Sequence, residues 1–412
     1  MVVGRGGREH ALAWKLAGSA AVGEVFAAPG SVGMARVATP VDVDEGDFDS
    51  LAGFAKSRAI DLTIVGPEAP LVNGIADRFA REGLSVFAPT ASAAVIEGSK
   101  SFAKGLMERH GIPTAAHEVF DDFDGATAFV DSAAIPVVIK ADGLAAGKGV
   151  VIAQSRDEAR AALREMMVEG RFAGAGRTVV IEEFLEGEEF SLMALVNGGT
   201  VVVMEPARDY KRAGDGDSGP NTGGMGAYSP VPQIGAETLE AAAGIIRRTA
   251  AAMEAEGRPF RGFLYAGLIA TAGGPKVIEF NARLGDPETQ VLLPRLETDL
   301  FEAISAVSGG RECVLRWSGD AAVAVVLASR GYPGDFRSGV PISGLDGTEL
   351  DPPIFHCGTE FADGRFLSKG GRVLAAVGKA ETLAAARDRA YLAAAGVGCD
   401  GLFFRRDIGS GF

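Results

Sequence analysis

The first hundred residues alternate short apolar segments with amphipathic ones, and this alternation restricts the possible folds more than any other feature. Apolar runs predict strands at 2–3, 25–27, 62–65 and 84–87, and helical periodicity predicts helices at 8–16, 48–57 and 70–81. Strands and helices in alternation form a parallel sheet with helices on both faces. Ligands bind such sheets at the carboxyl ends of the strands, where this chain has glycines after Val3, at Gly30 and at Gly66. We therefore predict an N-terminal α/β domain that binds a ligand.

The remaining residues predict further domains, so the expected fold class is multidomain, α/β and α+β. Strands are predicted at 137–140, 150–153 and 178–182, and helices at 156–167, 236–256 and 382–395. A long glycine-rich loop is predicted at 213–226. From about residue 320 the pattern is one of short strands and turns with a single clear helix.

Composition and charge exclude several classes of protein. The net charge of −14 disfavours nucleic acid as a partner, because the field of such a chain repels polyanions. No apolar run reaches the ~20 residues that a membrane-spanning helix needs. Cys313, Cys357 and Cys399 are far apart and form no CxxC pair, which favours reduced thiols over disulfides or zinc. We expect a cytoplasmic protein without nucleic-acid or membrane partners that binds anions through local positive sites.

A glycine-rich loop with lysines lies between two predicted strands, in VIKADGLAAGKGVVI (138–152). The residues concerned are Lys140 at the end of the first strand, then Gly143, Gly147, Lys148 and Gly149. Glycines let backbone amides approach a phosphate closely. The spacing GxxxGK followed by glycine differs from Walker A, which needs GxxxxGK and then a hydroxyl residue. We favour a hairpin that folds over a nucleotide, and a plain glycine turn with chance lysines is the alternative.

Polar residues alternate on a predicted strand in VIEFNARLGDPETQ (277–290). Because successive side chains of a strand point to opposite faces, Glu279 and Asn281 share one face, with Arg283 further along it. Two oxygen ligands with open positions suit a magnesium ion that bridges nucleotide phosphates. An arginine beside them can stabilise a transferring phosphoryl group. An ordinary edge strand is the alternative, and the glycine loop strengthens the first interpretation.

Acidic residues crowd the end of a predicted strand in VVIEEFLEGEEFSL (179–192). The motif alone favours a solvated acidic turn. The other interpretation is an adenine-binding hinge. In such a hinge the backbone around 183–185 contacts the base, and a carboxylate such as Glu188 holds the ribose hydroxyls.

A long loop with many glycines occupies ARDYKRAGDGDSGPNTGGMGAYSP (207–230). Long loops without secondary structure inside compact domains are usually functional or disordered. The mixed charges of Asp209, Lys211 and Asp215 favour a loop that gates a ligand site. A disordered surface loop is the alternative.

The N-terminal motif GRGGREHA (4–11) follows a predicted strand and opens a helix. Amides at a helix N-terminus bind phosphate readily. A dinucleotide fingerprint is incomplete here, because Glu9 takes the place of the third glycine and the acidic Asp42 and Asp44 lie too far along the chain. The motif therefore predicts a small phosphate-bearing ligand rather than NAD.

These motifs, in this order, resemble the phosphoribosylamine–glycine ligases, also called glycinamide ribonucleotide synthetases, of the ATP-grasp superfamily. The resemblance covers essentially the whole chain. It is carried by GGREHAL, VGPEAPLV, EGSKSFAK, KADGLAAGKGV, GDGDSGPNTGGMGAYSP and EFNARLGDPETQ, and towards the C-terminus by FHCGTEFADG, GGRVLAAV and DGLFFRRDIG.

The chain departs from the family pattern at a few positions. Residues 28–35 read APGSVGMA where the family usually has APGNAGTA, Tyr210 stands where histidine is common, and Ala88 where glycine is common. The first strand is also shorter than usual. None of these changes removes an expected metal or phosphate ligand, and the first is expected to alter the affinity for the sugar-phosphate substrate.

The resemblance implies a domain organisation and a reaction. The implied domains are an N-terminal phosphoribosylamine-binding α/β domain (1–98), a central ATP-grasp domain (99–117 plus 190–315), its lid subdomain (118–189) and a small mixed α/β C-terminal domain (316–412). ATP, glycine and 5-phosphoribosylamine are expected to give ADP, phosphate and glycinamide ribonucleotide through glycyl phosphate, with magnesium or manganese. We expect small-molecule partners only, and a monomer or weak homodimer.

The resemblance also implies roles for individual residues. The expected ATP contacts are Lys104, Lys140, Gly143, Gly147, Lys148, Gly149, Glu182, Glu183, Leu185, Glu188 and Glu189. The expected substrate contacts are Gly6, Gly7, Arg8, Glu9, Gly30, Gly66, Pro67, Glu68, Asn221, Thr222, Gly223, Gly224 and Arg283. The expected metal ligands are Glu279 and Asn281, and the expected catalytic residues are Arg283, Lys140, Asp209 and Lys211.

Three other functions compete with this interpretation. One is an ATP-grasp ligase that joins a carboxylate to a different amine, which the N-terminal hundred residues would distinguish. Another is a nucleotide-binding protein that has lost catalysis, against which Lys140, Glu279, Asn281 and Arg283 argue. A dehydrogenase is the least favoured, because the dinucleotide fingerprint is incomplete.

Overall fold

An all-parallel sheet forms the N-terminal part of the computed structural model, which describes residues 1–144, 149–170, 176–345 and 350–411. Its strands lie in the order β3-β2-β1-β4-β5. They are β1 Val2–Gly4, β2 Phe26–Pro29, β3 Thr39–Pro40, β4 Thr63–Val65 and β5 Val86–Phe87. The helices are α1 Gly7–Ala17, α2 Phe48–Ser57, α3 Glu68–Val72, α4 Ile75–Arg81 and α5 Ala91–Gly98. The predicted parallel α/β domain is confirmed.

The single helix predicted at 70–81 is wrong, because two helices occupy this stretch. Helix α3 ends at Val72, and Gly74 has a φ of +89° before α4 begins. A residue in the left-handed region cannot continue a right-handed helix, and glycine adopts it without strain.

The next region is an antiparallel sheet with its own core. Strands lie in the order β6-β9-β7-β8. The elements are α6 Lys100–Arg109, β6 His117–Phe120, α7 Phe123–Ser132, β7 Val137–Ala141, β8 Val150–Ala153, α8 Arg156–Leu163 and β9 Val179–Glu183. Helix α8 is shorter than predicted, since a π-helical turn at Arg164–Val168 follows it. Ala126, Ile139 and Leu163 belong to a buried cluster confined to this region, which suits a subdomain that moves as a unit.

A second antiparallel sheet, in the order β11-β10-β16-β17, forms the centre of the molecule. The elements of this stretch are β10 Glu188–Asn197, β11 Thr200–Val203, β12 Arg208–Asp209, β13 Arg212–Gly214, β14 Ser218–Asn221, β15 Gly226–Ser229, α9 Ala236–Ala255, β16 Arg261–Thr271, β17 Gly274–Asn281, α10 Thr289–Leu292 and α11 Leu300–Ser308. Helix α9 packs on the sheet, and its buried face includes Ile245, Ile246 and Met253.

The prediction of a long loop without secondary structure at 213–226 is wrong. Strands β13 and β14 pair as an antiparallel hairpin. The Arg405 guanidinium, which is buried, donates hydrogen bonds to the Arg212 carbonyl oxygen (2.9 Å) and to the Asp217 carboxylate (2.9 Å). The loop is therefore ordered by contacts with a segment almost 200 residues away in the chain.

The C-terminal part is a mixed region built on an antiparallel sheet in the order β12-β15-β18-β23-β20, with β24 also paired to β18. Its elements are β18 Ala321–Ser329, β19 Pro341–Ile342, β20 Phe355–His356, β21 Thr359–Ala362, β22 Arg365–Ser368, β23 Arg372–Ala380, α12 Leu383–Ala395 and β24 Leu402–Phe403. Because β12 and β15 belong to this sheet, it spans the predicted division at residue 316, and the domain bounds stay a prediction. Within the described ranges, no helix combines the length and apolar character needed to cross a membrane.

Candidate active site

A cleft opens where the N-terminal, lid and central regions meet. It is concave and partly open to solvent, and small-molecule sites are typically concave. The predicted residues that line it are Glu68, Lys104, Lys140, Gly143, Gly149, Glu182, Glu279, Asn281 and Arg283. Residues predicted from five separate motifs therefore share one cleft. Gly147 and Lys148 lie outside the described residues.

A β-bulge shapes strand β17, which carries the predicted metal ligands. Gly267 of β16 pairs with Glu279, and the next residue, Leu268, pairs with Val277, so Ile278 is the extra residue. Its carbonyl oxygen accepts a hydrogen bond from Lys140 Nζ (2.9 Å). Bulges re-aim side chains and free backbone groups at functional sites. Here the bulge ties Lys140 to the strand that carries the predicted metal ligands.

Glu279 and Asn281 line the cleft from β17, as predicted. Neither this cleft nor any other part of the described ranges has a group of three or more His, Cys, Asp or Glu side chains that could hold a metal. A pair of oxygen ligands is what Mg²⁺ commonly takes from a protein at a nucleotide site, because water and phosphate oxygens complete its shell. The residues present therefore fit a nucleotide-bound divalent ion.

Glu182 joins two buried lysines at the floor of the cleft. Its carboxylate oxygens lie 2.9 Å from Lys104 Nζ and 2.9 Å from Lys140 Nζ. All three side chains are at most 5% exposed. Burial lowers the pKa of Lys104 to about 8, although the Glu182 carboxylate opposes this shift. One carboxylate against two ammonium groups leaves a positive site that suits phosphate. The Glu182 carboxylate pairs with the two lysines, and the expected contact of Glu182 with ATP stays a prediction.

The predicted hinge residues Glu183, Leu185 and Glu188 are not among the residues that line this cleft, whereas the neighbouring Glu182 is. The Glu183 backbone N–H donates to the Ala116 carbonyl oxygen (2.9 Å), and the Glu183 carboxylate pairs with Lys276 (3.0 Å). Glu188 pairs with Arg208 (2.5 Å). These partners are protein groups, so adenine or ribose binding at Glu183, Leu185 and Glu188 stays a prediction.

Asp209 and Lys211 form a second charged group with Glu189. Lys211 Nζ lies 3.0 Å from the Glu189 carboxylate and 3.9 Å from that of Asp209. Burial raises the pKa of Asp209 to about 7, although Lys211 opposes this shift. Burial disfavours the charge of Lys211, but the Asp209 and Glu189 carboxylates outweigh it and hold the pKa of Lys211 well above its usual value.

Three residues that were not predicted lie beside this group. Ser191 Oγ is 2.8 Å from the Tyr265 hydroxyl and donates to the Glu288 carboxylate (3.0 Å). All three are buried. Glu288 belongs to the motif EFNARLGDPETQ, but Ser191 and Tyr265 sit in apolar strands with no local signal for a functional role.

The N-terminal glycines mainly make room for Glu9. A Cβ at Gly66 would overlap the Glu9 carboxylate, and a Cβ at Gly4 would lie 2.6 Å from its Cγ. The Gly6 N–H donates to Glu9 Oε2 (2.6 Å), and Arg8 Nε donates to Oε1 (2.7 Å). The Gly6 amide, one of the donors predicted for phosphate, is thus occupied by a carboxylate.

Glycines predicted to contact substrate meet near a half-buried ion pair, Asp286 with Arg372 (2.9 Å). Arg372 Nη1 also donates to the Gly223 carbonyl oxygen (2.5 Å), and Gln290 Nε2 donates to Asp286 (2.7 Å). A Cβ at Gly7 would lie 2.7 Å from Gln290 Nε2. Neither Asp286, Gln290 nor Arg372 was predicted, although each lies in a motif that carries the resemblance.

The other residues predicted to contact substrate are placed by backbone hydrogen bonds or by the elements next to them. The Thr222 N–H donates to the Lys211 carbonyl oxygen (2.7 Å), and the Gly224 N–H donates to Thr222 Oγ1 (3.0 Å). The Gly30 N–H donates to the Gly4 carbonyl oxygen (3.2 Å). Asn221 ends β14, and Pro67 precedes α3.

The departures from the family pattern mostly lie in packed positions. Met34 is fully buried, and Gly33 lies against the His356 ring so closely that a Cβ would overlap it. The Tyr210 hydroxyl accepts the Gly409 N–H (3.0 Å), and its ring lies under Arg405. Met34 and Tyr210 thus contribute to the packing of this chain.

Comparisons with known proteins agree with the motifs. Family models match in chain order, namely the N domain of phosphoribosylglycinamide synthetase at 1–97, its ATP-grasp (A) domain at 98–289 and its C domain at 322–411. A phosphoribosylamine–glycine ligase of Halalkalibacterium halodurans is 55% identical over 100% of this chain and 96% of its own length. One of Pseudomonas aeruginosa is 49% identical over 99% of this chain and 97% of its own length.

Solved structures give the same result. The crystal structure of a phosphoribosylamine–glycine ligase from Thermotoga maritima matches with a TM-score of 0.86 and 37% identity, over 99% of both chains. The biotin carboxylase domain of a 2-oxoglutarate carboxylase from Hydrogenobacter thermophilus, in complex with MgADP, shares the fold at 17% identity and a TM-score of 0.73, over 98% of this chain and 91% of that one. The resemblance of the motifs is confirmed, and the chain belongs to the phosphoribosylglycinamide synthetase family, whose central domain is an ATP-grasp domain.

Proposed function

We propose that the chain joins glycine to 5-phosphoribosylamine in two steps, through glycyl phosphate, and releases glycinamide ribonucleotide, ADP and phosphate. Membership of the family makes it an ATP-dependent ligase of purine biosynthesis. The observation that supports the two-step route is the single cleft shared by the Lys104–Glu182–Lys140 group and by β17 with its acidic, amide and guanidinium side chains.

In the first step the glycine carboxylate attacks the γ-phosphate of ATP. Lys104 and Lys140 hold the ATP phosphates, because their combined charge exceeds that of Glu182. Glu279 and Asn281 would hold the divalent ion, which would neutralise developing charge on the phosphates. Arg283 faces the transferring phosphoryl group and stabilises it. Catalysis of this kind needs positioned charges rather than a protein nucleophile.

In the second step the amine of phosphoribosylamine displaces phosphate from glycyl phosphate. The carboxylate of Asp209, with a pKa near 7, is suited to take a proton from the amine at neutral pH. Lys211 lies beside it and offsets negative charge on the departing phosphate. The space for the phosphoribosyl group is surrounded by the N-terminal glycines, the backbone at 221–224, Glu68 and the Asp286–Arg372 pair. A closed lid protects the water-sensitive acyl phosphate.

Several finer points stay predictions within this proposal. The fit of two oxygen ligands at β17 supports magnesium, and manganese prefers similar ligands. The free thiols of the three described cysteines agree with a reducing, cytoplasmic location. A monomer or weak homodimer is expected. The predicted N-terminal, central and C-terminal domains follow the order of the three matched family models, and the lid lies within the range of the second model.

The decisive experiment is a coupled assay of ADP release in which glycine, phosphoribosylamine (made in situ) and the divalent ion are omitted in turn. We expect full turnover only with all components, and glycinamide ribonucleotide as the product by mass spectrometry. ADP release that requires a different amine acceptor would contradict the proposed substrate. A product without the divalent ion would contradict the proposed roles of Glu279 and Asn281.

A further inference from the structure

A buried carboxylate stands directly behind the metal-binding strand. Glu97 lies in the last turn of α5, and its side chain is 5% exposed. One carboxylate oxygen lies 3.0 Å from Arg283 Nη2, and the other accepts the backbone N–H of Ala282 (2.8 Å). Each carboxylate oxygen of Glu97 thus contacts one of the two consecutive residues that follow β17, Ala282 and Arg283.

These two contacts are important because of the residues that they restrain. Ala282 follows Asn281, a predicted metal ligand, and precedes Arg283, the residue placed at the transferring phosphoryl group. Glu97 therefore restrains both the backbone next to the metal ligand and the guanidinium. A buried charge is costly unless it is paired and hydrogen-bonded, and here both conditions are met.

Arg283 has a second acidic partner that differs in kind. Glu68 Oε2 lies 3.5 Å from Arg283 Nε, and its side chain is 30% exposed. A longer and more solvent-accessible ion pair restrains a side chain less than a shorter, buried one with hydrogen bonds. Glu97 is therefore the partner that sets the orientation of the guanidinium, while Glu68 stays available to the cleft.

The same short segment also holds the base of the glycine loop. The Ser101 N–H donates to Asp142 Oδ1 (3.0 Å), and Lys100 Nζ donates to the Gly143 carbonyl oxygen (3.0 Å). Residues 97–101 thus contact the end of β17 on one side and the start of the loop predicted to cover ATP on the other. The end of β17 and the start of this loop are therefore held by the same segment of the chain.

We propose that Glu97 is a positioning residue for the ligase reaction, which acts by holding Arg283 and the end of β17 in the geometry needed for phosphoryl transfer. The inference rests on the role proposed above for Arg283. Glu97 itself need not touch substrate. Its removal is expected to lower kcat far more than it raises the KM for ATP, because the lysines that bind the phosphates do not depend on it.

The test compares Glu97→Gln with a matched control, Glu82→Gln. Glu82 is another carboxylate of the N-terminal domain with two cationic partners, Arg78 (3.0 Å) and Lys56 (3.2 Å), but it lies on the surface away from the cleft. For Glu97→Gln we expect kcat to fall about 10- to 100-fold, as for other residues that orient a functional group. The KM for ATP should change little, and Glu82→Gln should behave as the wild type.

A double-mutant cycle with Arg283→Lys shows whether Glu97 acts through Arg283. We expect Glu97→Gln to cause little further loss of kcat once Arg283 is replaced, since residues in one network are not additive. Losses that multiply, or a kcat of Glu97→Gln equal to that of the Glu82→Gln control, would overturn the inference. A wild-type kcat for Arg283→Lys would instead contradict the role of Arg283 itself.

A conservative variant covers the case in which Glu97→Gln does not fold, as judged by circular dichroism. Glu97→Asp keeps the charge but is one methylene shorter, so it reaches Ala282 and Arg283 less well. We expect a reduced kcat with an unchanged KM for ATP, and no further effect on the Arg283→Lys background. A wild-type kcat for Glu97→Asp would then overturn the inference.

Discussion

The Glu9 carboxylate occupies the space that a side chain at Gly66 would need. A Cβ at Gly66 would overlap Glu9 Oε1, and Glu9 is itself fixed by the Gly6 N–H and by Arg8. The carboxyl end of β4 and the start of α1 are therefore packed around a buried charged group. This relationship explains why glycine stands at the carboxyl ends of β1 (Gly4) and β4 (Gly66).

Replacing Gly66 by alanine should destabilise the protein. The added methyl group has to displace a buried, hydrogen-bonded carboxylate, so we expect a loss of about 1–3 kcal/mol in the free energy of unfolding, as for overpacked positions. Denaturant titration measures this loss. The control is Gly53→Ala in α2, where a Cβ meets nothing within 4 Å. That change should stabilise the protein by about 0.5–1 kcal/mol. Equal stability of Gly66→Ala and wild type would show that Glu9 is free to move.

The efficiency of ATP use should fall at alkaline pH because of Lys104. Burial lowers the pKa of Lys104 to about 8, so its ammonium group loses its charge as the pH rises through this value. A neutral lysine attracts phosphate less, and kcat/KM for ATP should therefore decline above about pH 8. Lys104→Arg keeps its charge and should move the decline to higher pH. The exposed Lys56→Arg is the control. An unchanged decline in Lys104→Arg would assign it to another group.

Turnover should rise with pH through about 7 because of Asp209. Burial raises the pKa of Asp209 to about 7, and only the ionised form can accept a proton. Asp209→Asn should remove this part of the pH–kcat profile and lower kcat about 10²- to 10⁴-fold. An exposed aspartate of α12, changed by Asp388→Asn, serves as the control. A normal kcat for Asp209→Asn would exclude Asp209 as the base.

Stability should follow the same titration with a defined sign. The pKa of Asp209 is higher in the folded protein than the ordinary 3.8 of the unfolded chain. Its contribution to stability is therefore fully present below about pH 3.8 and is lost as the pH rises through about 7. The free energy of unfolding, measured on either side of pH 7, should decline less with rising pH in Asp209→Asn than in the wild type.

Removing the buried guanidinium of Arg405 should release the β13–β14 hairpin. Arg405 contacts Arg212 and Asp217 of the hairpin and Asp407 of the C-terminal segment (2.6 Å). Arg405→Met should cost about 1–3 kcal/mol of stability, since charged hydrogen bonds are lost. It should also raise the KM for phosphoribosylamine, because the hairpin leads into Thr222 and Gly223. Arg406→Met, at the exposed neighbouring position, is the control. An unchanged KM would separate the hairpin from the substrate site.

Elements with local signals were predicted well from the sequence. Helix α2 begins and ends where its periodicity indicates, because Asp47 caps it by accepting the Ser50 N–H (3.0 Å). Strand β8 also has the predicted bounds. Helix caps and apolar alternation depend on a few neighbouring residues, so they can be predicted from the sequence alone. The break at Gly74 was missed because glycine is tolerated in a helix and its φ depends on neighbouring packing.

The sequence by itself determined the parallel N-terminal sheet and the strands β8 and β17, since each is a short pattern with a local physical cause. Only the tertiary structure decided which charges meet. Glu97 and Ala282 are 185 positions apart, Asp286 and Arg372 are 86 apart, and Lys104 meets Lys140 only through Glu182. No local pattern encodes such pairs, because they arise when separately folding regions bury their faces against each other. The assignment of roles within the cleft depends on these long-range contacts.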